Sequence, residues 1–197
     1  LDLLTLVLFI CGVFYPTAWS LAETKDAKSE YQTEGTTSIL SHYVHHGLSQ
    51  TNMDPSLQTS IFIPMGPQFR VGVWGSNVSY EGLDNHILIK IPIELKLEFN
   101  KDVTLTLGYS NNQYYKSRIR DGNTTRLNLN VFGYLVIHEI ESNWEGSETK
   151  SKYFAFNKTF NLSGDFNWEN QLGYTTISVE NLQNYFDLMS AISGKVN

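Results

Sequence analysis

Between His86 and Phe99 the chain alternates almost without error. Ile87, Ile89, Ile91, Ile93, Leu95, Leu97 and Phe99 hold one parity; His86, Lys90, Pro92, Glu94, Lys96 and Glu98 hold the other, with Leu88 the one exception. A period of two puts these sets on opposite faces of a strand. The run is about fourteen residues long, well beyond the ordinary strand of ~5–6 and beyond the ~9–11 that a transmembrane strand needs. Isoleucines on one face and ionised groups on the other fit a wall with lipid on one side and water on the other. The pattern therefore predicts Ile87, Ile89, Ile91, Ile93, Leu95 and Leu97 facing lipid, with Lys90, Glu94, Lys96 and Glu98 facing an aqueous lumen.

The same reading along the chain predicts strands over 36–50, 56–64, 67–77, 85–99, 103–116, 124–140, 150–162, 165–178 and 184–194. Turn-forming clusters separate them, among them Pro64-Met65-Gly66-Pro67, Asn100-Lys101-Asp102, Asp121-Gly122-Asn123 and Ser163-Gly164-Asp165. Connections this short join antiparallel neighbours. No helical period runs through the chain after residue 22, and no apolar stretch there approaches the ~20 residues of a membrane helix. A closed sheet is the other way to span a bilayer. The expectation is an all-β fold, an antiparallel transmembrane β-barrel of about 8–10 strands over 36–197, with either at least one further strand beyond Asn197 or closure by neighbouring copies of the chain. Tyr114, Tyr115, Trp144, Tyr153, Trp168 and Tyr174 fall near predicted strand ends, where an interfacial aromatic belt would lie. The segment 124–140 is apolar on both parities at its centre, through Val131, Phe132, Tyr134, Leu135, Val136 and Ile137. Either one of its faces meets a second copy of the chain or enclosed lipid, in a homo-oligomer, or its inner aromatics pack against each other in a plugged monomer.

The first residues change the compartment. Leu3 to Ile10 form an apolar core too short to span a membrane, and Ser20-Leu21-Ala22 supplies the small residues that precede signal-peptidase cleavage. Residues 1–22 read as a signal peptide whose start lies upstream of Leu1, and 23–35 as a polar segment before the barrel. Cys11, in this leader, is the sole cysteine, so no disulfide framework is expected. The formal net charge is −6, without the basic patch that nucleic-acid binding requires.

Three further segments carry a resemblance. Ser41-His42-Tyr43-Val44-His45-His46-Gly47-Leu48-Ser49-Gln50-Thr51, then Pro55-Ser56-Leu57-Gln58, then Gly72-Val73-Trp74-Gly75-Ser76-Asn77 resemble the opening of the TorF-type, or Gcw_chp, bacterial porin-like proteins. The matching residues are Tyr43, His46, Gly47, Ser49, Gln50, Gln58, Gly72, Trp74, Ser76 and Asn77. The resemblance implies an exported outer-membrane β-barrel, inserted by the outer-membrane assembly machinery and surrounded by membrane lipid, with oligomerisation a property of porin-like relatives. His46 stands where that pattern usually has arginine, which removes a permanent guanidinium charge. Read from the residues alone, Gly47, Gly72 and Gly75 suit bends or close backbone approach. Gln58, Ser76 and Asn77 suit a pore lining or turn, and Trp74 a lipid or interface anchor.

Two other function classes would draw on different features of the chain. A lipid-modifying enzyme of the outer membrane would draw on His45, His46 and Ser49. On a regular strand, however, His45 and His46 point to opposite faces, and His42 and His46 lie ~13 Å apart. No nucleophile motif, metal motif or phosphate loop is present. The expectation is therefore no catalytic, cofactor or metal site. A secreted β-sandwich or adhesin would suit acceptor triplets such as Asn77-Val78-Ser79 and Asn123-Thr124-Thr125, but its strands should be shorter. The preferred reading is a passive pore or a structural, lipid-enclosing membrane protein.

Overall fold

In the computed structural model, residues 32–163, 166–178 and 182–194 are described. The leader 1–22 with Cys11, most of the polar segment 23–35, and the predicted turn at Gly164-Asp165 lie outside them. The fold is all-β and antiparallel. The strands are β1 (Glu34–Leu40), β2 (Val44–His45), β3 (Leu48–Ser49), β4 (Ser56–Pro64), β5 (Phe69–Asn77), β6 (Asn85–Asn100), β7 (Val103–Lys116), β8 (Gly122–Val131), β9 (Tyr134–Glu141), β10 (Ser151–Ser163), β11 (Phe166–Ile177) and β12 (Tyr185–Gly194). Ten of them form one sheet in the order β1-β4-β5-β6-β7-β8-β9-β10-β11-β12, while β2 and β3 pair only with each other. Short 3-10 turns at Arg118–Arg120 and Trp144–Gly146 complete the described residues.

The longest strand is the one with the cleanest alternation: β6 has 16 residues, or about 50 Å of extended chain. Two predicted strands prove to be something else. The segment 36–50 stops as a strand at Leu40, and the chain then leaves the sheet to build the β2–β3 hairpin. The segment 124–140 is a hairpin of two strands, β8 and β9, in register from Thr124↔Glu141 to Val131↔Tyr134. Its turn residues Phe132 and Gly133 both have positive φ, 51° and 75°, the signature of a two-residue hairpin whose twist matches the sheet. The mixed parity seen in the sequence is therefore a reversal of direction, and the argument for an oligomer from a strand apolar on both faces falls with it. The sheet consequently has ten strands where nine segments were expected. It is also open: among the described residues no ladder joins β1 to β12.

The outer face is largely apolar from β6 to β12. One continuous row runs Leu97-Leu105-Leu129-Val136-Phe156-Leu172-Leu188 through seven paired strands; Leu105 is its one buried member. Ile87, Ile89, Ile91, Ile93, Phe154, Phe160, Trp168, Phe186 and Ile192 extend this exposed surface. Most of the buried residues of the inner face are polar: Ser56, Ser76, Asn112, Thr124, Glu139, Ser151, Asn157 and Thr175. Leu88, the exception in the β6 pattern, is 1 % exposed and forms a small apolar cluster with Tyr43 and Val78, against which Trp74, Tyr80 and Tyr114 pack.

The two ends of the sheet also differ. At one end the strands are joined by tight turns at 65–68, 101–102 and 132–133; at the other by the longer segments 41–55, 78–84, 117–121 and 142–150. The β2–β3 hairpin enters from the second end. Trp74 of β5 packs on Tyr43, with ring centroids 5.6 Å apart, and the Tyr185 hydroxyl of β12 donates to the His46 carbonyl at 2.9 Å. β5 and β12 are seven strand steps apart, about 34 Å in a flat sheet, whereas Tyr43 and His46 span at most ~10 Å. The sheet is therefore rolled around the hairpin.

Candidate functional site

The inserted segment is held by its own polar groups before it meets the wall. The Gln50 N–H donates to the Tyr43 carbonyl at 2.7 Å. The Tyr43 N–H donates to Thr51 Oγ1, which itself donates to the Asp54 carbonyl. Ser49 Oγ accepts from the Met53 N–H, so the serine is used in this turn. His46 and Gly47 turn the hairpin with φ of 47° and 77°. A Cβ at Gly47 would lie 2.7 Å from Asp187 Cβ on β12, so both conformation and space call for glycine here.

This left-handed turn overturns the expectation that His45 and His46 diverge. Their rings stack with centroids 3.9 Å apart, and His46 stacks in turn on Tyr153 of β10 at 3.7 Å. Both rings meet two carboxylates of β9. His45 Nε2 lies 2.7 Å from Glu141 Oε1 and 3.7 Å from Glu139 Oε1, and His46 Nε2 lies 3.4 Å from Glu139 Oε1. The other oxygen of Glu139 is paired with Arg126 of β8. Burial and the neighbouring His46 hold the His45 imidazole down, to about 4, against the pull of Glu141. Glu139 and Glu141 were missed in the sequence reading. The signal was present: they share one parity of β9 and are the only two acids in Tyr134–Glu141.

The other motif residues surround this centre. Gln50 Oε1 accepts from the Tyr80 hydroxyl at 2.6 Å and from Arg120 Nη2 at 3.4 Å. The Arg120 guanidinium lies 3.6 Å above the Tyr80 ring and is paired with Glu145. Burial opposes the charge on Arg120, but Glu145 beside it more than compensates and raises its pKa. Trp144, expected in an interfacial belt, is buried next to Tyr185; Tyr153 is likewise an interior residue. Trp74, expected as a lipid or interface anchor, faces inward onto Tyr43. Gly72 lies on the inner face where a Cβ would meet the Ile61 carbonyl at 2.6 Å. Gly75 has room for a side chain. Ser76 bonds Ser56 Oγ at 2.9 Å. Asn77 accepts from the Leu57 N–H and donates to the Pro55 carbonyl, closing the entry to β4. Gln58 is half-buried and pairs with Ser76 across the ladder.

On β6, Lys90 and Glu94 are half-buried on the inner parity, while Lys96 and Glu98 of the same parity are exposed at the tight-turn end and paired with each other at 2.6 Å. Ile87, Ile89, Ile91 and Ile93 are exposed and Leu95 and Leu97 half-exposed on the outer parity. A cavity of about 260 Å³ lies between the hairpin and the wall, lined by Tyr43, His45, Trp74, Lys90, Glu94 and Arg126 among others.

Residues 24–190 match the family described as "Bacterial protein of unknown function (Gcw_chp)". The chain belongs to this family. The match spans the hairpin, the His/Glu centre and all strands up to most of β12. No curated protein and no solved structure matches.

Proposed function

We propose that this Gcw_chp protein is an integral outer-membrane β-barrel-type protein whose interior is occupied by its own hairpin, making it a narrow pore or structural membrane element. The observation that carries the reading is the inverted sheet: large apolar side chains cover the exposed face, and serine, threonine, asparagine and charged groups fill the enclosed one. Burial of apolar area is the dominant stabilising term in water, and monomeric soluble proteins seldom leave contiguous apolar patches beyond a few hundred Å². Lipid removes that cost. Short turns at one end and longer loops at the other are likewise the pattern of outer-membrane barrels.

The hairpin argues against a wide diffusion channel. A barrel of about ten strands has an interior that side chains nearly fill, and here Tyr43, His46, Gln50 and Thr51 take that space. On this reading the surrounding lipid and the outer-membrane assembly machinery are the partners. The test is electrophoresis of the full-length protein in detergent before and after heating, together with conductance in planar bilayers. The reading predicts slower or faster migration of the unheated form and, at most, small unitary conductance. A protein that is released from membranes by alkaline carbonate and migrates identically with and without heating would contradict it.

A further inference from the structure

The four side chains His45, His46, Glu139 and Glu141 come from two places far apart in the chain, an inserted hairpin and a wall strand. Each offers one nitrogen or oxygen, and these four atoms all lie within 4.8 Å of one another. Four-coordinate zinc has bonds of ~2.0–2.2 Å to histidine and carboxylate, which makes the edges of the tetrahedron ~3.4 Å. Three of the six separations are 2.7, 3.4 and 3.7 Å and none exceeds 4.8 Å, so an ion requires the His45–Glu141 hydrogen bond to open by less than an ångström and any wider pair to close by at most about 1.4 Å. A second observation points the same way. Glu139 is 1 % exposed, yet its Oε1, facing both imidazoles, receives no well-directed hydrogen bond, His46 Nε2 standing off at 3.4 Å. Buried polar atoms are nearly always satisfied. Arg126 on the other Glu139 oxygen fixes that carboxylate's orientation, the kind of outer contact that orients metal ligands.

We propose that His45, His46, Glu139 and Glu141 form a site for a divalent transition metal ion, zinc fitting the ligand set best, which staples the inserted hairpin to β9. Two imidazoles and two carboxylates suit zinc and its neighbours in the first transition row better than calcium or magnesium, which take six or more oxygens or keep water. The inference does not depend on what surrounds the sheet.

The test uses the full chain, folded in detergent and stripped with a chelator, and titrated with Zn²⁺ alone. One Zn²⁺ per chain should bind saturably and raise the thermal midpoint. His45→Ala and Glu141→Gln should each weaken binding tenfold or more and abolish that rise. His86→Ala, which removes an exposed histidine 2.8 Å from Asp84, should change neither. Co²⁺ in place of zinc should give the strong visible absorption of four-coordinate cobalt, a readout on the unmutated protein that stands even if a variant fails to fold. Absence of saturable binding at one equivalent, a six-coordinate cobalt spectrum, or an affinity that falls with His86→Ala and not with His45→Ala would overturn the proposal. The cluster would then be a hydrogen-bonded anchor only.

Discussion

On β6, Lys90 and Ile91 are adjacent in the chain and lie on opposite faces of one sheet. Lys90 lines a cavity and stands 5.5 Å from the Trp74 ring centre, whereas Ile91 is 40 % exposed in a row of isoleucines. The same contrast repeats on β10: Phe154 and Phe156 are exposed while Tyr153 and Ala155, alternating with them, are buried. In a soluble protein the assignment would be reversed, with the aliphatic parity inside. The difference between the faces therefore says more about the surroundings of this sheet than its topology does, since an antiparallel meander of ten strands suits either solvent.

The comparison can be broken from either side. The largest effect is expected where the inner face departs from its own rule. Leu88 is the large aliphatic side chain that β6 turns inward to full burial, and Leu88→Ala should lower stability by about 2–5 kcal/mol, measured by urea unfolding of the protein in lipid. Next comes the outer face. Ile91→Arg should cost about 2–4 kcal/mol if that position lies near the bilayer midplane, and much less in detergent micelles, which adapt around the charge. The turn of the hairpin follows: Gly47→Ala meets both a left-handed backbone and the Asp187 side chain, and should cost about 1–3 kcal/mol. Because it loosens the insert, it should also raise unitary conductance in planar bilayers. The smallest effect is expected for Tyr185→Phe, which removes the hydroxyl donating to the His46 carbonyl and should cost about 0.5–1.5 kcal/mol by the same unfolding assay.

Strand identity was readable where one parity was consistently apolar, as in β6 and the first half of β7. It failed at two places, for related reasons. The turn between β8 and β9 is built on Phe132 at φ 51°, where asparagine or aspartate would have signalled a hairpin. A phenylalanine followed by glycine inside an apolar run carries no such mark. The segment 36–50 was read as one strand because Val44, Leu48 and their neighbours have strand propensity; its departure from the sheet is decided by tertiary contacts with Trp74, Glu139 and Tyr185. The candidate site was half legible. His45 and His46 stood out, but placing them together depends on the backbone of His46 and Gly47, and their carboxylate partners lie more than ninety residues away in sequence. Leu88, in contrast, was visible at once as an error in a regular pattern, and that irregularity marks the apolar cluster under the hairpin.

The account rests most on the claim that the isoleucine parity of β6 meets lipid. Spin labels attached one at a time at positions 89, 90, 91, 93 and 94 of the protein in lipid bilayers read this directly, by relaxation with oxygen, which concentrates in the bilayer, and with a water-soluble nickel complex. The account predicts that labels replacing Ile89, Ile91 and Ile93 respond mainly to oxygen, and that those replacing Lys90 and Glu94 do not. Strong relaxation by the nickel complex on the isoleucine parity would contradict it.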